Sequence, residues 1–261
     1  MQFSLAFPTD LHRRSAEIAR DFFLTSPIVD TVLVTNSCAR GQATPESDLD
    51  MAVLLKPSVP VEDAQDLEAN WQEVLHTHPV IAEFRASHRF MQIHLDLISG
   101  IYTPSIWDDG GGPDGFELEI GNHVAYSALF SEPGAYFKHL QTEWLPYYNA
   151  DLQHQRLDMV RLACTHDLEH VPLYHKRGLY FQSFDRLYKA FQEFLQALFI
   201  SRKVYPLAYN KWIHMQVEEW LGLPELYKEL PQIISVSNIE GEELLQKAKK
   251  LNSLLDQWIP E

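Results

Sequence analysis

The sequence predicts an α+β domain, a mixed sheet with helices, over residues 1–120, followed by an all-α domain over residues 121–261. Two patterns lead to this fold class. Short β-branched or alternating apolar runs, typical of strands, are confined to roughly the first 120 residues. Beyond Gly121 the apolar residues recur with the period of amphipathic helices almost to the end of the chain. Hydrophobic residues make up 46% of the chain, as expected for a globular protein.

The first domain is predicted to begin with a helix over residues 11–24, where apolar residues are spaced as on one helical face. Residues 31–35 and 48–55 are apolar and rich in β-branched or aliphatic residues, as buried strands are. A helix follows over residues 61–76, directly after Pro60. The other predicted elements are three strands, over residues 80–87, 89–99 and 116–120, the first two forming a hairpin around Ser87-His88.

Prolines divide the second domain into separate predicted helices. The clearest helix spans residues 183–200, where Phe184, Leu187, Phe191 and Leu195 follow the 3.6-residue period. The dividing prolines are Pro146, Pro172, Pro206, Pro224 and Pro231.

Charge and composition exclude several classes of protein. The formal net charge of −15 disfavours long nucleic acid as a partner, because phosphate binding requires a basic surface. With only Cys38 and Cys164, a disulfide framework is excluded and a reducing compartment is favoured. No apolar run approaches the roughly 20 residues needed to cross a bilayer, and the N-terminal charges follow the apolar stretch, unlike a secretory signal. We therefore expect a cytoplasmic protein without a membrane partner.

Residues 176–211 are locally basic, with seven Lys and Arg residues against Asp185 and Glu193. Two interpretations stay open from the sequence. The stretch is either a solvated helix face or one wall of a cationic pocket for a compact anion such as a triphosphate.

Three aspartates carry the clearest chemical signal. Asp48 and Asp50 are two residues apart on a predicted strand and therefore share a face, while Leu49 and Met51 point into the core. Paired carboxylates are hard oxygen ligands that suit Mg²⁺ or Mn²⁺. Asp96 lies in a second apolar strand, where an unpaired buried carboxylate is costly. If the two strands are neighbours, the three carboxylates converge and suit a two-metal site.

The segment around these residues resembles the signature of the polymerase-β nucleotidyltransferase superfamily. The matching residues are Asn36-Ser37, Ala39-Arg40-Gly41 and Ser47-Asp48-Leu49-Asp50, and Asp96 falls where the family has its third carboxylate. The order of the N-terminal elements also fits the family's mixed sheet. One position departs from the pattern, since Asn36 stands where the family usually has Gly. Asn tolerates left-handed backbone geometry better than most residues, so the turn is expected to form.

The resemblance implies a role for each matching residue. Asp48 and Asp50 would ligate Mg²⁺ bridging the phosphates of ATP, and Asn36 and Ser37 would hold the β- and γ-phosphates. Arg40 and Ser47 would assist. Asp96 would either complete a two-metal site or act as general base on an acceptor hydroxyl. Lys211, just beyond a proline-containing break, is either a further contact to the triphosphate or an ordinary surface lysine.

The helical half resembles the acceptor-binding domains of two-domain aminoglycoside and lincosamide adenylyltransferases. This likeness implies transfer of a nucleoside monophosphate, AMP from ATP, to a hydroxyl of a small molecule such as an antibiotic, with release of pyrophosphate. Two alternatives remain: an adenylyltransferase that modifies a protein or RNA, and a non-catalytic nucleotide sensor. The sequence does not specify the acceptor, the nucleotide, the number of metals or the oligomeric state.

Overall fold

The computed structural model describes residues 3–259, which form two compact units. The first unit comprises residues 3–102 together with Glu119–Leu145, and the second comprises Thr103–Leu118 together with residues 146–259. The sequence places a single boundary near residue 120, whereas these units interleave along the chain. The physical reason is local pairing: residues 128–129 add a strand to the sheet, while Asp114 and Glu117 bind an arginine of the helical unit.

A four-stranded mixed sheet forms the centre of the first unit, in the order β3-β2-β1-β4. The strands β1 and β2 are antiparallel, β1 and β4 are antiparallel, and β2 and β3 are parallel. The strand bounds are Val29–Val34 for β1, Leu49–Leu55 for β2, Ile93–Ile98 for β3 and Ala128–Leu129 for β4. The predicted strands at 31–35 and 48–55 are thus confirmed, as is a strand containing Asp96.

Helices of the first unit pack against one face of this sheet. Buried side chains of α1, α3 and α4, among them Phe23, Trp71 and Phe84, form a core with Met51 and Ile93 of the strands. On the opposite face, Leu33, Ala52 and Leu54 are also buried, and polar side chains of β2 and β3 lie beside them. The helix bounds are Asp10–Leu24 for α1, Asn36–Ala39 for α2, Val61–Thr77 for α3 and Pro79–Ser87 for α4.

The predicted hairpin around Ser87-His88 is wrong. The first of its two strands is the helix α4, which begins with Pro79 at its first position and buries Ile81 and Phe84. Apolar residues three apart fit a helical face, and the alternation expected of a strand is absent there. Because α3 and α4 connect β2 to β3, the two strands run parallel, as a helical crossover requires. This topology places the beginnings of β2 and β3 side by side.

The predicted strand at residues 116–120 is also a helix, α5, spanning Phe116–Ile120. Asp114 accepts a hydrogen bond from the backbone N–H of Phe116 through Oδ1, at 3.2 Å, which favours a helical start. Phe116 and Ile120 are both buried at helical spacing. A π-helical turn follows at Gly121–Ala125, and α6 spans Ala135–Trp144.

The second unit is helical, as the sequence predicts, although Pro172 and Pro231 lie inside helices instead of dividing them. Its elements are α7 at Ala150–Lys176, α8 at Tyr180–Ser201, a π-helical segment at Met215–Trp220, α9 at Pro224–Ile234 and α10 at Glu243–Trp258. Buried side chains of α7, α8, α9 and α10 share one hydrophobic core. Within residues 3–259, none of the helices combines the length and the hydropathy that a membrane span requires.

Arg156 of α7 organises a buried polar network in the second unit. Its guanidinium donates to both carboxylate oxygens of Asp114 at 2.7 Å and to Glu117 at 2.8 and 2.9 Å. Tyr148 and Gln196 donate to the same Glu117 carboxylate. Two carboxylates thus share one arginine, and the network attaches residues 103–118 to the helices of this unit.

Candidate active site

The register between β2 and β3 places three polar side chains on one face of the sheet. Asp50 is paired with His94, and Ala52 with Asp96. Paired residues on adjacent strands point to the same side, so Asp50, His94 and Asp96 share a face. Leu49 and the other alternate residues of β2 face the opposite side and join the core. The expectation that the strand of Asp96 lies beside that of Asp50 is therefore confirmed.

Asp48 lies directly before β2 and is held in place by the start of β3. Its Oδ1 accepts a hydrogen bond from the backbone N–H of Gln92 at 3.1 Å, and Leu49 donates to the Gln92 carbonyl at 2.9 Å. Its Oδ2 lies 3.6 Å from Nε2 of His94. The side chain is 39% exposed, so this carboxylate oxygen is available to a cation or a ligand.

The turn at Asn36-Ser37 lies next to Asp50. Asn36 has φ of 52°, in the left-handed region, and begins the short helix α2. This confirms that Asn replaces the family's usual Gly without loss of the turn. The backbone N–H of Thr35 donates to the Asp50 carbonyl at 3.0 Å, and the Ser37 carbonyl accepts from Gln42 at 2.9 Å. The turn is thus joined directly to the strand that carries Asp50.

Ser47 stabilises the loop that leads to Asp48. Its hydroxyl accepts a hydrogen bond from the Thr44 backbone N–H at 2.9 Å, and its carbonyl lies 3.0 Å from Nε2 of His12. His12 is completely buried in α1, and its Nδ1 lies 2.7 Å from the Thr9 hydroxyl. The sequence does not mark His12 as a positioning residue. Its signal is weak, because a buried histidine on an amphipathic helix is ordinarily a core residue.

Arg40 and Cys38 are buried beside Asp50. Burial lowers the pKa of Arg40, while the Asp50 carboxylate opposes that shift. The Arg40 Nε donates to Gln42 at 3.0 Å, and its Nη1 has no hydrogen-bond partner among the described residues. Burial, with Asp50 nearby, raises the pKa of the Cys38 thiol to about 12. Cys38 is therefore protonated at neutral pH and is unsuited to act as a nucleophile.

His123 is a neighbour of Asp96 that the sequence did not indicate. It lies in the π-helical turn Gly121–Ala125, a type of turn frequent at functional sites. Burial lowers its pKa, and the Asp96 carboxylate opposes this shift. Its Nδ1 has no hydrogen-bond partner within residues 3–259. No periodicity or spacing in the sequence places His123 near Asp96, since the two residues meet only through the fold.

The structure brings together seven of the eight predicted site residues in the first unit. These are Asn36, Ser37, Arg40, Ser47, Asp48, Asp50 and Asp96. Lys211 lies in the second unit, where its side chain is exposed and its carbonyl accepts a hydrogen bond from Gln216 at 2.9 Å. Its contact with a triphosphate stays a prediction.

Two details of the predicted metal site differ from expectation. Asp96 is exposed, so the cost of burying a carboxylate does not apply to it. Within residues 3–259, no three His, Cys, Asp or Glu side chains are already grouped as metal ligands. The three aspartates are neighbours at two adjacent strands. Their assignment as metal ligands stays a prediction.

Comparison with known proteins assigns this region to a class. A family model described as a nucleotidyltransferase domain matches residues 13–102, which lie entirely in the first unit. The matched segment contains Asp48, Asp50, Asp96 and the turn at Asn36. The match supports the polymerase-β-type superfamily and indicates that the protein is a nucleotidyltransferase. A search among curated proteins gave no match.

Proposed function

We propose that the protein transfers AMP from ATP to a hydroxyl group of a small molecule and releases pyrophosphate, with Mg²⁺ as the required ion. The observation that carries this proposal is the parallel register of β2 and β3. It places Asp50 and Asp96 on one face, next to Asp48 and to the turn at Asn36-Ser37. Carboxylates beside a polar turn are the arrangement expected of a site for a metal-bound triphosphate.

The residues present fit a magnesium ion. Asp48 and Asp50 offer carboxylate oxygens, the hard donors that Mg²⁺ prefers. The second oxygen of Asp48 lies toward His94 at 3.6 Å, longer than a hydrogen bond, so a cation can replace this contact. Bound Mg²⁺ would neutralise negative charge on the phosphates and on the leaving pyrophosphate. Asp96 would serve as a further ligand or as the base described below.

The reaction requires one bond to form and one to break. The acceptor oxygen attacks the α-phosphorus of ATP, and the bond from that phosphorus to the bridging oxygen of pyrophosphate breaks. The acceptor proton passes to a base, for which exposed Asp96 is the candidate on this face. The rate enhancement would come mainly from positioning and from charge stabilisation by fixed groups.

The remaining predicted residues would bind the triphosphate. The Asn36-Ser37 turn would hold its β- and γ-phosphates, as the resemblance implies. Arg40 adds positive charge beside Asp50, and its unpartnered Nη1 is a free donor among the described residues. Ser47 already binds the Thr44 backbone, so its contribution is to fix the loop before Asp48. Lys211 is assigned to the triphosphate only through its position in the sequence.

We further propose that the acceptor is a cationic, hydroxyl-bearing compound of the aminoglycoside or lincosamide type, modified in the cytoplasm. The net charge of −15 supports a cationic substrate over long nucleic acid. The helical second unit agrees with the two-domain architecture of antibiotic adenylyltransferases, which is an argument from fold and not from a bound ligand.

A labelling experiment tests this function. Purified protein is incubated with Mg²⁺ and ATP labelled at the α-phosphate, in the presence of a panel of aminoglycosides and lincosamides and, separately, of a cell extract. The proposal predicts a labelled small product from at least one panel member. Label on protein or RNA would contradict the small-molecule acceptor and favour the alternative adenylyltransferase. ATP binding without any labelled product, also in the Asn36→Gly variant, would favour a nucleotide sensor.

A further inference from the structure

A cavity of about 210 Å³ lies within the second unit, between residues 105–114 and the helices α7 and α8. The loop over it is closely packed on α8. Gly110 has φ of 74°, and a Cβ there would lie 1.8 Å from Nη1 of Arg186. Asp109 contacts His166 and lies 3.5 Å from Arg186. The loop that borders the cavity is therefore held in place by specific contacts with α7 and α8.

The charges on the cavity wall have one sign. Three lining residues are acidic, namely Asp108, Asp114 and Glu193, and none of the lining residues that the structure describes is basic. Asp114 is neutralised in part by its two hydrogen bonds from Arg156. The basic residue Arg186 of α8 is paired with Asp167 and is not part of the lining. The ionisable part of the lining is therefore acidic, with Glu193 as its most buried carboxyl group.

Glu193 is the lining residue that lacks a partner. Its side chain is 1% exposed, and neither carboxyl oxygen makes a hydrogen bond with any part of the chain that the structure describes. Burial, reinforced by Asp167, raises the pKa of this carboxyl to about 9. A buried carboxyl group without a partner is unfavourable in either protonation state, because its hydrogen bonds to water are lost. A ligand donor in the cavity would remove this cost.

The rest of the wall suits an apolar body. Met159, Val160 and Ala163 of α7 supply aliphatic surface, and Trp107 supplies an aromatic ring. The Trp107 Nε1–H also has no partner among the described residues. Aromatic and aliphatic walls with one or two placed polar groups are typical of small-molecule sites, and an indole face attracts cations.

We propose that this cavity binds a small amphiphilic amine, with its ammonium group paired to Glu193 and its apolar body against Met159, Val160 and Trp107. The ammonium group would lie against the acidic side of the cavity. Asp114 lines the same cavity and offers a second acceptor. The site takes an organic cation and excludes a neutral molecule of the same shape. The proposal is independent of nucleotidyl transfer, because binding is measured without ATP.

Calorimetric titration of the full-length protein tests the proposal directly. The probes are cyclohexylamine, benzylamine and glucosamine, each compared with its neutral counterpart cyclohexanol, benzyl alcohol or glucose. We expect saturable one-to-one binding of at least one amine, and about tenfold or weaker binding of the matching alcohol, as loss of a desolvated charge pair implies. Absence of saturable binding by all three amines would overturn the proposal, and so would equal affinity for an amine and its counterpart.

Two variants locate the binding. Glu193→Gln keeps the shape of the side chain but cannot ionise to pair with an ammonium group, and we expect it to weaken amine binding about tenfold or more. Asp185→Asn is the matched control on the same helix, since Asp185 is 53% exposed and pairs with Lys189 outside the lining. We expect it to leave the affinity within about twofold. Unchanged affinity in Glu193→Gln would contradict the assignment even if the amine binds elsewhere.

Proton release gives a second readout that does not depend on a variant. An ammonium ligand would ionise Glu193, so titrations near pH 7 in Tris and in phosphate should differ by the ionisation heat of about one proton. The charged groups around Glu193 are Asp167 of α7, Arg186 and Lys189 of α8, and Asp108 and Asp114 of the loop. Heats that are identical in the two buffers would contradict pairing with Glu193.

Discussion

Carboxylates of the candidate site in the first unit and three carboxylates of the second unit differ in their exposure to solvent. In the first unit, Asp48 is 39% exposed and Asp96 is also exposed. In the second unit, Glu117, Asp167 and Glu193 are each at most 1% exposed. Carboxylates on a hydrated face accept a cation without first being desolvated, whereas buried ones need a fixed partner or a bound proton.

In the second unit, some buried carboxylates have a fixed partner and one keeps a bound proton. Glu117 shares Arg156 with Asp114, and Asp167 pairs with Arg186. Glu193 has neither arginine, and its pKa is raised so that it keeps its proton at neutral pH. Substitution of Asp48, Asp50 or Asp96 should therefore affect catalysis, whereas substitution of buried Glu117 or Asp167 should affect stability.

The largest effect is expected from Asp50→Asn. Asparagine keeps the shape of the side chain but not the charge that would hold a metal-bound triphosphate, so transfer should fall by at least about a hundredfold. The partly exposed position predicts that folding is preserved. Rates of AMP transfer and urea denaturation curves measure the two properties separately.

Asp66→Asn is the matched control, since Asp66 is exposed on α3, and it should leave both properties unchanged. Full activity of Asp50→Asn would exclude the proposed role of the sheet face.

Arg156→Met should cause the largest loss of stability in the second unit. Removal of the guanidinium leaves Glu117 and Asp114 without their common partner. Loss of one member of a buried ion pair lowers the free energy of unfolding by about 3–5 kcal/mol. Urea denaturation at neutral pH gives the free energy of unfolding. Arg13→Met removes an exposed arginine with two surface ion pairs and should have little effect. Equal losses for the two variants would contradict the distinction between buried and exposed pairs.

Glu193 should make stability depend on pH. Its pKa is about 9 in the folded protein and near its ordinary value when unfolded, so the folded state binds more protons between these two pKa values. Its contribution to stability is therefore complete below the unfolded pKa and is lost as pH rises toward 9, by on the order of 1 kcal/mol per pH unit.

The Glu193→Gln variant isolates this contribution. Its stability advantage over the natural protein should widen between pH 5 and pH 8, as measured by denaturation at both pH values. Asp167, whose pKa is also raised by burial, remains in both proteins. A constant difference between the two proteins across this range would show that Glu193 does not titrate as stated.

The smallest effect concerns the turn at Asn36. With φ of 52°, this position tolerates Gly and Asn but strains a β-branched residue. Asn36→Val should lower the free energy of unfolding by about 1–2 kcal/mol, whereas Asn36→Gly should change it by less than about 1 kcal/mol. Thermal denaturation of the two variants side by side distinguishes them. Similar stability in both would show that the left-handed turn is not a constraint.

Local sequence patterns predicted much of the first unit. The helices α1 and α3 and the strands β1 and β2 follow from apolar periodicity and from the proline before α3. The error at α4 has a clear cause, since a short apolar run does not distinguish a strand from a helix. That error hid the parallel crossover, although the predicted adjacency of the strands carrying Asp50 and Asp96 was right. The prediction that the aspartates share a face was not affected by this error, because alternation of side chains along a strand does not depend on strand direction.

Contacts between residues distant in sequence were not predictable. Arg156 binds Asp114 and Glu117 across about 40 residues, and His12 reaches the Ser47 carbonyl across 35. Neither pair has a spacing that marks it. For the same reason, the sequence did not indicate that residues 119–145 join the sheet unit, or that His123 lies near Asp96. The motif at residues 36–50 was visible because its chemistry is confined to one turn and one strand.

The central claim, transfer of AMP with release of pyrophosphate, is tested most directly by following the two ends of the triphosphate. Parallel reactions with ATP labelled at the α-phosphate and at the γ-phosphate are run with Mg²⁺ and the accepting compound. We predict that the α-label enters the product and that the γ-label is recovered as pyrophosphate. Entry of the γ-label into the product, or its release as inorganic phosphate alone, would contradict nucleotidyl transfer by this site.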